Sequence, residues 1–183
     1  AQQIFEKYWS FNRGYIGKVY DSVFIKKSLA VWEIGAGANM AFRKSLFEQV
    51  GYFDERLDVG AAGCSGDSEF WHRILFNGFT IVYSPRAVVY HEHRKEINDL
   101  KSQLFNYMRG FAAAALIQHN QDTKAGYKQH LYKGLPRHYI GQLNKGFPGY
   151  AFNYVTVFSE IQGLISGILF FRKNRNKPAH TSF

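Results

Sequence analysis

Three short stretches carry residue types that could do chemistry, and each is weak alone. Asp67 follows a Gly- and Asp-rich loop, Tyr52 to Gly66, and stands where a helix would open. Helix N-termini favour negative charge, and a general base at neutral pH must be a carboxylate. The same position suits a plain helix cap, because Asp is a preferred N-cap residue. His91 and His93 are one residue apart, so on a strand they would share a face within reach of one ion. A metal would need further ligands from elsewhere; without them the pair is two polar residues at a strand end. Gly35 and Gly37 supply two glycines of a dinucleotide-binding loop, but Met40 stands where the third belongs. A tight small-residue strand is the other reading of that stretch.

Those residues need elements to hold them. Residues 35–43 are small and apolar and read as a buried strand. Leu46, Phe47 and Val50 share a face, so Lys44 to Val50 reads as a short helix stopped by Gly51. Asp67 or Ser68 caps a helix running to Asn77, with Phe70, Trp71, Ile74 and Leu75 as its apolar stripe and Gly78 as its stop. Phe79 to Tyr83 and Ala87 to Tyr90 read as strands about a Ser84–Pro85 turn.

The remaining chain is helical in pattern. Gln3, Phe5, Tyr8 and Phe11 suggest an opening amphipathic helix. Lys95 to Asn120 has Ile97, Leu100, Leu104, Tyr107, Phe111 and Ala115 at helical spacing. Residues 121–150 are polar and Gly-rich, and Pro136 and Pro148 are expected to break any long element there. Phe152 to Phe171 is mostly apolar, with Glu160 and Gln162 at its centre. A mid-bilayer carboxylate costs about 2.5–3.5 kcal/mol, which favours an interfacial or packed helix over a membrane span.

Composition narrows the class. The chain has 183 residues, enough for one domain with a core, and 46% are hydrophobic, which excludes disorder. Seventeen Phe and twelve Tyr suit sugar stacking, membrane contact or plain core packing. Residues 1–93 hold ten Lys/Arg and ten Asp/Glu, whereas residues 94–183 hold thirteen and four, so the net charge of +9 lies wholly in the second half. That half could meet anionic lipid, a phosphorylated acceptor or only solvent. No nucleic-acid motif accompanies the charge, and nucleic acid is not an expected partner. Cys64 is the lone cysteine, which fits a reducing compartment and a buried filler without thiol chemistry. The N-terminus has neither a signal pattern nor an initiating Met, as in a chain that begins within a longer protein or has been processed.

Order adds what the single motifs lack. GAGANMAFRKSLFEQVGYFDERLDVG followed by GDSEFWHRILFNGFTIVYSPRAVVYHEHR resembles the second half of family 2 glycosyltransferases, inverting enzymes of the GT-A type. The resemblance runs over about sixty residues and is looser on either side. It implies that Asp67 is the base that deprotonates the acceptor hydroxyl. It implies that Ala38 and Asn39 line a strand beneath the acceptor pocket, that Trp71 lies on the acceptor side, that Asp54 is either structural or on the acceptor side, and that His91 completes a divalent-metal site (Mg or Mn) near the leaving diphosphate. It gives Arg73 a matching position but no role.

Two departures qualify the match. Gly66 stands where the family usually has Glu, and Glu69 is the residue that could compensate from the next turn. No two aspartates are spaced as Asp-x-Asp, and the residues before Gly35 are too few for the strand–helix series that holds the nucleotide-sugar.

The expectation is therefore an α/β fold: a partial GT-A fold, a mixed sheet remnant with C-terminal helices. Residues 1–94 would form the acceptor-side half and residues 95–183 a basic helical extension. The expected function is sugar transfer with inversion, from a nucleotide-sugar donor to a glycan or lipid-linked acceptor hydroxyl, as a fragment of a longer enzyme. The alternative is a non-catalytic binder of glycan or membrane surface that lacks the donor site. The expected location is cytoplasmic, at the inner face of a membrane, with a tendency to self-associate through an exposed sheet edge.

Overall fold

A computed structural model describes residues 15–90, 96–144 and 153–179. In chain order the elements are β1 (Lys18–Tyr20), α1 (Ser22–Lys27), 3-10 turns at Val31–Glu33 and Gly37–Asn39, α2 (Leu46–Val50), α3 (Gly66–Phe76) and β2 (Ile81–Tyr83). Then follow α4 (Ile97–Gln121), α5 (Tyr127–Gln129), a π-helical stretch His130–Gly134, α6 (Leu135–Asn144) and α7 (Asn153–Asn174).

The sheet differs most from expectation. Among the described residues it has two strands, β1 and β2, antiparallel, with Lys18 opposite Tyr83, Val19 opposite Val82 and Tyr20 opposite Ile81. Residues 35–43 form no strand, because small residues with weak strand preference turn at Gly37–Asn39, where Asn39 N–H bonds the Ala36 carbonyl. Ala87 to Tyr90 is irregular; the Ala87 carbonyl accepts from the Asn39 side chain instead of a strand. Alternation still decides which face is wet. Tyr20, Ile81 and Tyr83 pack inward, and Val19 and Val82 project outward.

The core of this part is the stripe of α3. Phe70, Trp71, Ile74 and Leu75 are buried against Val31, Ile34, Val50, Tyr20 and Ile25. Gly51 and Gly78 stop α2 and α3 in left-handed backbone, as their positions in the sequence indicate. The opposite face of α3 carries Glu69, 1% exposed, which receives two hydrogen bonds of 2.8 Å from Arg73 one turn on. Arg73 also donates to the Val50 carbonyl of α2, and Gln121 of α4 donates to Glu69. The helix arginine thus ties three helices through one buried carboxylate. Asp54 and Arg56 form a second ion pair within the loop.

The second part is helical. Leu100, Leu104 and Ala115 of α4 are buried, as their spacing implies, and Ala112 to Gln118 is buried on every side. α7 crosses α4 at Gly163 and Gly167, where any Cβ would overlap the carbonyls of Phe105 and Arg109. Gly110 of α4 is equally tight against the Cys64 carbonyl of the loop. The loop's Leu57 and Ala62 pack on Ala113, Ala114 and Ile117 of α4, so the segments before and after residue 95 share a core. Pro136 does not break the helical run from Tyr127 to Asn144. The backbone widens before it: Leu135 N–H reaches back five residues to His130, and the ring is accommodated by that π turn. The expected N-terminal helix and Pro148 lie outside the described residues.

Two stability results follow. Arg73→Ala strands Glu69 as a buried unpaired carboxylate, and chemical denaturation should show a loss of about 3–5 kcal/mol. His72, fully buried on α3 beside Phe76 and Tyr127, has no hydrogen-bond partner of good geometry at either ring nitrogen. Burial pushes its pKa down to about 4, against smaller opposing effects of Gln121 and Asp122. The unfolded chain therefore takes up this proton below pH 6.5 and the folded chain does not. Stability is full above pH 6.5 and falls by roughly 3 kcal/mol towards pH 4. Thermal melts of wild type and His72→Phe across that range should diverge, with the variant losing less on acidification.

Candidate active site

The site is built where α3 begins. Ser65 enters the helix in left-handed backbone (φ 78°) without capping it through its side chain. The first free N–H, that of Gly66, is taken by the Asp58 carboxylate at 2.9 Å. Asp58 reaches it from a left-handed position of its own (φ 58°), held by turn bonds from Ala61 and Gly63 to its carbonyl. Neither Asp67 nor Ser68 is the N-cap. The loop supplies that acceptor, which frees Asp67 to point elsewhere.

Asp67 points across to the turn at Gly37. Its Oδ2 accepts the Gly37 N–H at 2.8 Å, and its Oδ1 accepts the Ser68 N–H at 2.7 Å. Two backbone donors from different elements fix the carboxylate's orientation. The approach needs a glycine, because a Cβ on residue 37 would sit 2.9 Å from Oδ2 and 3.1 Å from the Asp67 Cβ. This contact explains the glycine at 37, whereas a Cβ at residue 35 would make only ordinary contact with the edge of Trp71, 3.7 Å away.

The departure at position 66 has a spatial reason. A Cβ there would overlap the Asp58 carboxylate, so Asp58 fills the space a longer residue would need. The carboxylate beside Asp67 comes from the loop. Partial burial raises the Asp58 pKa, the Gly66 N–H opposes that rise, and the negative charge of Asp67 adds to it. Glu69 does not compensate for Gly66, since it turns the other way into Arg73 and Gln121. Cys64, next to this junction, is pushed up to about 11 by burial first and by the charge of Asp67 next, consistent with a packed, unreactive thiol.

Asp67 lines an open cleft of roughly 2310 Å³. One wall holds the turn with Ala38 and Asn39, the edge of Trp71, and the segment Tyr83 to Tyr90. The other comes from the C-terminal helices and includes Phe111, His138, Tyr139 and Glu160. Ala38 and Asn39 thus reach the cleft from a turn and not from a strand. Trp71 is 5% exposed and supports that turn from the core. The more exposed indole in the cleft is Trp32, edge-on to Phe111 at 5.3 Å, which sequence patterning did not single out. Asp54 does not line the cleft; its carboxylate is engaged by Arg56 through both oxygens. Glu160, puzzling in an apolar helix, is 9% exposed and accepts from the Tyr139 hydroxyl at 2.9 Å.

The residues described do not assemble a metal site. Among them no three His, Cys, Asp or Glu side chains are grouped to hold an ion. His91 and His93 lie outside the described residues.

The chain was compared with known proteins. Neither a curated protein nor a solved structure matches it. The model of the family described as glycosyl transferase family group 2 matches residues 10–171, a span that holds the loop, Asp67, both walls of the cleft and nearly all of α7. By that match, over most of its length, the chain belongs to the group 2 family of glycosyl transferases.

Proposed function

We propose that this chain supplies the catalytic base and acceptor-side wall of an inverting sugar transferase. The observation that carries this reading is Asp67: a carboxylate at the wall of a large cleft, oriented by N–H groups from two elements, in a chain of a glycosyl transferase family. A sugar hydroxyl is a poor nucleophile until a positioned base takes its proton. In the proposed reaction the acceptor hydroxyl lies at Asp67 and passes its proton to the carboxylate as its oxygen attacks the anomeric carbon. The bond to the nucleoside diphosphate breaks on the opposite side, which inverts the centre. The acceptor is a glycan or a lipid-linked glycan. Ala38, Asn39 and Trp32 are the cleft residues placed to shape its binding.

The donor diphosphate has no assigned site on the described residues. His91 is proposed as a ligand this chain would bring to a divalent cation beside that diphosphate. Without an Asp-x-Asp pair in the sequence, tight donor binding is not expected of this chain alone.

Asp67→Asn removes the base and turns one of its two accepting oxygens into a donor, and should lower transfer about 10²–10⁴-fold with a loss of stability of no more than about 1–3 kcal/mol. Gly37→Ala, which crowds the same carboxylate without touching its charge, should lower transfer by roughly tenfold to a hundredfold. Full transfer by Asp67→Asn would overturn Asp67 as the base, and glycan binding without transfer, unchanged in Asp67→Asn, would leave a non-catalytic glycan binder as the better reading. Calorimetric titration of the chain with nucleoside diphosphates and Mn²⁺ checks the donor side. Tight binding is not expected, and tight binding that His91→Ala weakens would show that the chain holds a donor site of its own.

A further inference from the structure

Helix α7 has two faces of opposite character. Gly163, Leu164 and Gly167 are buried, with both glycines pressed against the backbone of α4. On the outer side Phe158 is 69% exposed, Ile165 55% and Leu169 57%. Together with exposed Gln162 and Arg172, these residues are spaced by four, three, four and three, so they form one line along the helix. Lys173, Arg175 and Lys177 follow at the same end, all exposed. The single carboxylate of α7 is Glu160, which is turned inward to Tyr139 and does not offset the cations.

A line of Phe, Ile and Leu facing water is not the pattern of a solvated helix. Nor is it a span, since among the described residues no helix is long and apolar enough to cross a membrane. An apolar stripe running into a cluster of cations matches a helix lying in the plane of a lipid surface, with the charges at the headgroups. Its partner must be apolar in its interior and negative at its rim.

We propose that α7 docks this protein onto an anionic lipid surface, with Phe158, Ile165 and Leu169 entering the acyl boundary and Arg172, Lys173, Arg175 and Lys177 meeting the headgroup phosphates. The inference does not rest on the sugar-transfer reading, because it uses none of the residues around Asp67. It has a consequence for that site. The same helix lends Thr156, Val157 and Glu160 to the cleft wall, so docking brings the cleft to the bilayer surface.

Flotation of the full 183-residue chain with vesicles tests this. Binding is expected to phosphatidylcholine vesicles containing phosphatidylglycerol, and at least about tenfold weaker binding to phosphatidylcholine alone or in high salt. The triple variant Phe158→Ser, Ile165→Ser, Leu169→Ser should lose binding while its far-ultraviolet circular dichroism stays native. A second variant, with Arg172, Lys173, Arg175 and Lys177 each changed to Gln, should lose the preference for phosphatidylglycerol. Equal binding by wild type and both variants, or no binding by wild type, overturns the proposal. So does a wild-type dimer in sedimentation that the triple variant abolishes without any vesicle binding, which would make the stripe an interface between copies.

Discussion

One buried carboxylate organises this molecule. Glu69 is almost wholly shielded from water, and an ion there is tolerable only if every oxygen is answered. Arg73 answers from the same helix, and its remaining guanidinium nitrogen reaches the Val50 carbonyl of α2. Gln121 answers from the end of α4. Three helices that are distant in sequence therefore meet at one point, and α3 cannot turn about its axis without breaking the set. Its other face is committed by this, so Trp71 and Ile74 face the core beside the cleft and Asp67 sits at its wall.

The orientation of Asp67 follows from close backbone approaches, with one longer side-chain bond from the Ser68 hydroxyl at 3.3 Å. Asp58 takes the first N–H of α3, so Asp67 need not cap its own helix. Gly37 brings its N–H to the carboxylate at a distance that no Cβ would permit. Gly66 leaves room for Asp58. Two glycine gaps and one capping carboxylate thus hold one acid in a single pose at the rim of a large opening. Such preorganisation is what a general base needs, since it acts only on a proton it already faces.

The C-terminal helices belong to the same construction. Glycines at the crossing of α4 and α7 let two backbones touch, and the alanines of α4 let the loop lie flat upon it. That packing turns one side of α7 into a cleft wall and leaves the other side apolar and exposed. Four of the thirteen Lys and Arg residues of the second half gather at the end of this helix.

Much of this was legible from local pattern. The helices α2, α3 and α4, their apolar stripes and the glycine stops were readable because helical periodicity and left-handed glycine are local properties. The ordered motifs also pointed to the family. Tertiary structure decided what contacts across long separations decide. It made residues 35–39 a turn, because Gly37 pairs with a residue thirty positions on and not with a strand. It assigned the helix cap to Asp58, gave Arg73 its role, and withdrew Asp54 from the cleft through Arg56. It also kept Pro136 within a helical run by widening one turn. Residue type and spacing determine which groups are able to do chemistry; only the folded chain determines which of their lone pairs are already taken, as both oxygens of Asp54 are by one arginine, and which group is left facing a cleft, as Asp67 is.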